Sequence, residues 1–350
     1  MTSSRTPRIT QRRIAELAGV SQATVSLVLN GRTENGARIP EETRERVLAV
    51  IRQTTYVADP VARSLAGAAN NLVGVFTYEH AFPNETSDFY TPLLTGIESR
   101  AEALGFDLLM FTSAPLTDGR RQIFNENSRL RLADGCLLLG SEMDADELAR
   151  LRDSGYAFVA IGRRDVDGIA YVGVDYVTPT QTLARKAVEA GHRSAFYAHL
   201  SLTAESSRDR HDALTAELAR AGVALGETET TEAGVGDAWR RLREGEATVL
   251  FVEDPTDAEE LHALAAAEGI RVPEDLSVVV LGERGRGAQT LDFTRLSAPR
   301  TELGSVAVTL LDQLLNGPRA GAAELPLRQL LDCTVIDGAT LAAPSMGAAR

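Results

Sequence analysis

The chain has 350 residues and a mass of 37.5 kDa, room for two or three folding units at roughly 100–200 residues each. Its 44% hydrophobic and 24% charged content excludes a disordered, collagenous or coiled-coil chain, and no apolar run reaches the ~18 residues a membrane span needs. The net charge of −13 is unevenly divided: residues 1–70 hold ten Arg against six acids, for +4, and the remainder carries −17. A basic head on an acidic body suits a head that meets a polyanion, with an accidental distribution as the competing reading. The opening MTSSRTPRIT has no apolar h-region, so a cytoplasmic protein is expected rather than a secreted one. Cys136 and Cys333 lie far apart, which suits a reducing compartment and argues against a disulfide scaffold or a cysteine zinc site. One Lys, Lys186, beside 35 Arg reads as GC-rich coding, not as chemistry.

In chain order, Ile14, Leu17 and Ala18 predict one face of a short helix beginning near Thr10. Gly19-Val20 breaks it, and Ser21 can cap a second helix whose buried stripe is Val25, Val28 and Leu29. Helix, tight turn with Gly, helix is the helix-turn-helix layout, which points the start of its second helix at base edges in the major groove. A Gln there can pair with adenine, and small hydroxyls and Ala suit thymine methyls or phosphates. A third helix is predicted over about Glu41 to Gln53, with Val47, Val50 and Ile51 inward. A three-helix cap without a ligand is the competing reading of the pattern alone.

The stretches AELAGVSQATVSLVLNG (15–31) and TRERVLAVIRQTTYVADPVARSLAG (43–67) resemble the head and hinge of the lactose-repressor (LacI/GalR) family of bacterial transcription regulators. The resemblance implies that Thr10, Ser21, Gln22, Ala23, Thr24, Ser26 and Asn30 face DNA, with Gln22 and Ala23 at the positions the family varies to choose its operator. Leu27 stands where the family usually has Arg, RTENGARIP (32–40) is longer than the usual connector, and Pro40 replaces a capping Ser. The hinge behind Asp59-Pro60 is too short to be stable as an isolated helix, so it can be coupled to DNA binding. In the matched family it forms on operator DNA, paired across a homodimer. Arg63 is expected at the DNA, and Leu65 matches the wedge pushed between base steps in the minor groove.

Beyond residue 70 short apolar runs alternate with helical spacing. Strands are predicted at 72–76, 106–111, 137–140, 157–161, 170–174, 195–197, 248–251 and 277–281, and helices at 93–104, 180–190, 210–221 and 257–268. Such alternation implies parallel doubly wound sheets, and so many strands fit two sheets better than one. Segments 89–111, 133–140, 174–176, 189–197 and 268–279 continue the family resemblance. The expected fold is therefore multidomain: an all-α helix-turn-helix head plus an α/β two-lobed periplasmic-binding-protein-like core of two doubly wound parallel sheets. The expected division is a DNA-binding domain at 1–58, a hinge at 59–69, a core at 70–340 and a flexible tail at 341–350. The N-lobe takes about 70–174 and 299–330 and the C-lobe about 176–297, with crossings near Asp175, Ala298 and Leu331.

The resemblance places a small-molecule effector of unknown identity in the cleft between the lobes. Phe89 and Tyr90 would be aromatic walls, with plain lobe packing as the alternative. Arg210 matches an Arg that the family points at its ligand, with an ion pair to a nearby carboxylate as the alternative. Asp254 matches the Asp of an Asn-Asp pair whose Asn is Glu253 here; Tyr176 replaces another Asn, and Gly282 replaces an Asp that serves sugar hydroxyls. Losing those groups weakens a sugar reading, so a less polyhydroxylated ligand, or none, is expected. The five His show no metal spacing, and His192 in GHR reads as a surface turn. GERGRG (282–287) lacks phosphate-loop and dinucleotide spacing and reads as a loop at the cleft rim, and EDPTDAEE (253–260) reads as a helix start. Residues 338–350 lack leucine heptads, so no tetramer bundle is expected. The expectation is thus a cytoplasmic, nucleoid-associated regulator, acting as a repressor, that binds a pseudo-palindromic double-stranded operator as a homodimer. No enzyme activity, cofactor, metal or membrane partner is expected. The alternatives are a family-like regulator controlled by a protein partner or by no ligand, and a binding protein or enzyme whose head is an accessory.

Overall fold

The computed structural model describes residues 9–30, 39–54, 56, 69–79, 90–114, 116–117, 120–124, 128–230, 234–283, 291–321 and 323–345. Two units divide the chain, residues 1–70 and 71–350.

In the first unit, α1 (Gln11–Ala18), α2 (Gln22–Asn30) and α3 (Glu41–Gln53) form a small bundle. Thr10 caps α1 by accepting from Arg13 N at 3.3 Å, and Gly19 ends it in the left-handed region at φ 66°. Ser21 Oγ accepts from Thr24 N at 3.1 Å and so caps α2. Pro40 precedes α3 without a side-chain cap, but Glu41 and Glu42 in the first turn favour the helix dipole. Ile14, Val25 and Val47 meet with no exposed surface, and Ala15 and Ala18 pack beside them. Leu17, expected inward, is 48% exposed. The buried face of α1 is turned toward Ala15, whose small side chain lets neighbouring helices approach.

The second unit holds two six-stranded sheets. The first runs β11-β5-β4-β3-β1-β2, with β1 (Leu72–Thr77), β2 (Asp107–Phe111), β3 (Gly135–Leu139), β4 (Phe158–Ile161), β5 (Ala170–Asp175) and β11 (Arg328–Asp332), all parallel. The second runs β12-β10-β9-β8-β6-β7, with β6 (Ser194–His199), β7 (Ala224–Glu229), β8 (Val249–Val252), β9 (Ser277–Val280), β10 (Thr294–Ser297) and β12 (Thr334–Ile336). Its pairings are parallel except for the edge strand β12, which runs antiparallel to β10. The central strands are continuous apolar runs because helices cover both faces: all of GCLLL in β3 and SVVV in β9 is buried. The crossover helices are α4 (Tyr90–Leu104), α5 (Ala145–Asp153), α6 (Val177–Glu189), α7 (Glu205–Arg220), α8 (Val235–Glu244) and α9 (Pro255–Ala267). α10 (Arg300–Asn316) returns to the first sheet and lies on α4. A Cβ on Gly96 would come within 1.9 Å of Thr301 O, and one on Gly304 within 2.2 Å of Leu93 O, so glycine on both helices permits this backbone approach.

Three passages join the sheets: after Asp175, after Ser297, and between Asp332 and Thr334. In this second unit two features differ from expectation. His192 is buried rather than on a surface turn, with Nδ1 2.7 Å from Thr248 Oγ1 and Nε2 2.9 Å from Ala342 O. Residues 341–345 do not begin a loose tail: Leu341 packs on the core and Ala342 N donates to Ser277 Oγ at 3.1 Å.

Candidate functional site

In the helix-turn-helix unit, Ser21, Gln22 and Ala23 are exposed at the start of α2. Thr24 is half-buried, its Oγ1 2.9 Å from Ser21 Oγ, and Ser26 is half-buried. Thr10 is exposed at the N-terminus of α1. Gln22, free of any capping duty, has its full amide available for a base edge. Asn30 ends α2; its side chain, together with Arg63, Leu65 and Phe89, lies outside the described residues. α2 itself carries no basic residue, while α1 brings Arg12 and Arg13 and α3 brings Arg44, Arg46 and Arg52.

In the second unit, strand order places the other site. β1 has β2 on one side and β3 on the other, and β6 stands likewise between β7 and β8. Each is a topological switch point, where connections leave in opposite directions and open a crevice at the carboxyl ends of the strands. Glu79 and Ser141 follow β1 and β3; Leu200, Glu253 and Asp254 follow β6 and β8. All five line one cavity of about 380 Å³ between the lobes.

The cavity also brings together Tyr90, Tyr176, Arg210 and Gly282, expected at the site from the sequence. Tyr176 follows β5 and is buried, and the Arg210 guanidinium lies 3.7 Å above its ring centre. Arg210 Nη1 donates to Glu253 Oε1 at 2.8 Å and to Ser206 O at 3.1 Å. Glu253 in turn accepts from Ser207 Oγ at 2.6 Å, Leu200 N at 3.1 Å and Tyr197 Oη at 3.3 Å. Burial is the largest single influence on Arg210 and opposes its charge, but Glu253, with smaller help from Tyr176 and Tyr197, more than offsets it, so the guanidinium stays protonated. The ion-pair reading of Arg210 is therefore what the side chain does here. Asp254 caps α9, accepting at Oδ1 from Thr256 N at 2.7 Å and Asp257 N at 3.3 Å. A Cβ on Gly282 would lie 2.6 Å from Glu253 O, so this backbone excludes any side chain at that place. Tyr90 Oη donates to Glu79 Oε2 at 2.5 Å, and Glu79 Oε1 accepts from Ser141 N and Oγ at 3.0 and 2.8 Å. Burial, and then Glu79, push the Tyr90 phenol far above its usual range, so it remains a donor.

Sequence reasoning missed the residues that join the lobes. Arg163 forks onto Asp209, Nε to Oδ2 at 2.7 Å and Nη2 to Oδ1 at 2.8 Å. Arg164 donates to Glu205 at 2.8 Å with both side chains largely buried, and Arg208 reaches back to Asp165 at 2.8 Å. Arg163 to Asp165 follow β4 while the partners sit on the first turns of α7, so three ion pairs cross the cleft side by side. The available signal was position: charged residues just past the carboxyl end of a parallel strand sit at the crevice. Glu283 and Arg300 also line the cavity, Glu283 accepting from Arg295 at 3.2 Å and Ser297 Oγ at 2.9 Å. Among the described residues no group of His, Cys, Asp and Glu is placed to hold a metal ion, and no helix is long and apolar enough to cross a membrane.

Comparison with known proteins follows this division. Residues 11–59 match the bacterial regulatory proteins of the lacI family, and residues 184–340 match a periplasmic binding protein-like domain. The chain is 26% identical over 315 residues to catabolite control protein A of Staphylococcus aureus, covering 87% of this chain and 91% of that one. It is 32% identical over 222 residues to the sucrose operon repressor of Klebsiella pneumoniae, covering 63% and 64%. Among solved structures, a Lac repressor dimer bound to operator and the anti-inducer ONPF superposes with a TM-score of 0.75 at 22% identity, covering 96% of this chain and 100% of that one. The regulator CelR in complex with cellobiose gives 0.64 at 22% identity, covering 95% and 100%. These likenesses share the helical head and the two-lobed core with mostly parallel sheets.

Proposed function

We propose, from the match of residues 11–59 to the lacI family of bacterial regulatory proteins and of residues 184–340 to a periplasmic binding protein-like domain, that the chain represses transcription by binding a pseudo-palindromic operator as a homodimer, with a small molecule in the cleft altering its DNA affinity. The observation that carries this reading is the capped start of α2, with Ser21, Gln22 and Ala23 exposed together on a helix that follows a three-residue turn. That is the part of a helix-turn-helix that meets base edges. Thr10, Thr24, Ser26 and Asn30 are assigned to flanking base and phosphate contacts, and Arg63 and Leu65 to the hinge's minor-groove contact. Phe89, Tyr90, Tyr176, Arg210, Asp254 and Gly282 are assigned to the effector cleft. Cleft closure would be linked to DNA affinity as a two-state coupling. The curated relatives are named for regulation, which favours this reading over an enzyme.

DNase footprinting of the full-length protein on DNA upstream of its own gene, with salt titration, tests the reading. A protected palindrome whose affinity falls steeply with salt is expected. Gln22→Ala should weaken that site by about 1–3 kcal/mol, roughly five- to 150-fold, while leaving nonspecific binding intact. A monomer with no preferred site, or equal loss on all DNA, overturns it.

A further inference from the structure

We propose that the cleft takes a compact, uncharged and largely apolar molecule rather than a polyhydroxylated one. The inference rests on the reading of this cavity as the effector site and names its chemistry. A polyol is recognised by side chains that can turn acceptors and donors toward many hydroxyls at once, and each hydroxyl left unpaired on burial weakens binding. Here the acids of the lining are already engaged by the protein. Glu79 holds Tyr90 and Ser141, Asp209 holds Arg163, and Glu283 holds Arg295 and Ser297. Glu253 carries Arg210, a hydroxyl and a backbone amide while only 3% exposed. Asp254 is turned to the first turn of α9, and Gly282 has no room for a side chain. A sugar would have to break these pairs, and displacing Arg210 would leave the charge of Glu253 buried alone.

Most of what faces the space between those pairs is hydrocarbon, with Ser206 and Arg300 as polar groups beside it. Leu93, Leu139, Ile161, Val174, Leu200 and Leu303 supply walls from both lobes, and the rings of Tyr90 and Tyr176 join them. A cavity of about 380 Å³ falls in the range of small-molecule sites, which are mostly apolar with few polar anchors.

The test uses the full-length protein. Thermal shift and isothermal titration are run with three apolar probes (indole, p-cresol and cyclohexanone) and three polyols (glucose, ribose and sucrose). At least one apolar probe should raise the melting temperature in step with its concentration, at one site per chain, while the polyols do nothing. Two variants, Ser206→Trp and Leu200→Trp, fill the cavity from α7 and from the segment after β6, and circular dichroism checks their folding. Either folded variant should weaken the apolar probe about tenfold or more. Polyol binding that the Trp variants abolish overturns the ligand class but leaves the cleft reading standing. Apolar binding that both folded variants leave unchanged overturns the assignment to this cavity. Silence of every probe overturns the proposal, and operator release by a metabolite would then be the separate test of whether the cleft reading survives.

Discussion

Removing the carboxylate of Glu253 gives a sharp test of how the second unit is held. In Glu253→Ala, Arg210 keeps its charge but loses its partner at 2.8 Å, and Ser207 Oγ, Leu200 N and Tyr197 Oη lose their acceptor. The side chains of Arg210 and Glu253 are 10% and 2% exposed, so water restores little of the lost interaction. Breaking a buried pair from one side costs about 3–5 kcal/mol, because an uncompensated charge is left inside. At about 2–4 °C per kcal/mol for a unit of this size, the melting temperature should fall by roughly 6–20 °C. The double variant Arg210→Met/Glu253→Leu removes both charges and refills the volume, and should recover the part of the loss that the stranded charge causes. Thermal and urea unfolding of the native chain, the singles Arg210→Met and Glu253→Leu, and the double variant closes the cycle, with Glu253→Ala measured beside them. A single variant that loses less than about 1 kcal/mol, the value of an exposed pair, would refute the reasoning. So would a double variant that loses the sum of its singles.

Two further outcomes follow from the same interior. Burial holds the His192 imidazole below its usual range, so the folded state takes up a proton less readily than the unfolded one. Its contribution is therefore complete above the unfolded value of ~6.5 and is lost as pH falls through the folded value. His192→Gln should flatten the decline of melting temperature below about pH 6.5, and an unchanged slope would reject the assignment. Across the cleft, Arg164→Ala should open the lobes, because the Arg164–Glu205 pair lies almost out of solvent between β4 and α7. Solution scattering should show a larger radius of gyration than the native chain, and no change would mean the ion pairs do not set closure.

The head was legible because its signals are local. Thr10, Ser21 and Gly19 each act within one turn of where they stand, and Val25 and Val47 mark the buried side by spacing alone. Leu17 misled because the choice between it and Ala15 depends on how closely α1 approaches its neighbours. In the core the central strands were legible as short buried runs, whereas β7, ALGETE, was not. It is an edge strand with mostly open residues and no apolar stripe. α8 was missed although Val235, Ala238, Trp239 and Leu242 mark a buried face. Tyr90, Tyr176, Arg210, Asp254 and Gly282 were found at the cavity by resemblance. Their working arrangement was hidden, since Arg210 and Glu253 stand 43 positions apart and meet only once the sheet has formed. The same distance effect concealed Arg163–Asp209, Arg164–Glu205 and the two bonds that bury His192.

The last passage between the sheets has a consequence for synthesis. β11 supplies a rim of the first sheet and β12, two residues later, a rim of the second. Until residues 328–336 have left the ribosome, β5 and β10 therefore each present bare backbone donors and acceptors, the kind of margin that recruits another nascent chain. A frameshift or stop codon near residue 325 would not trim one lobe and spare the other; it would leave both unfinished at once.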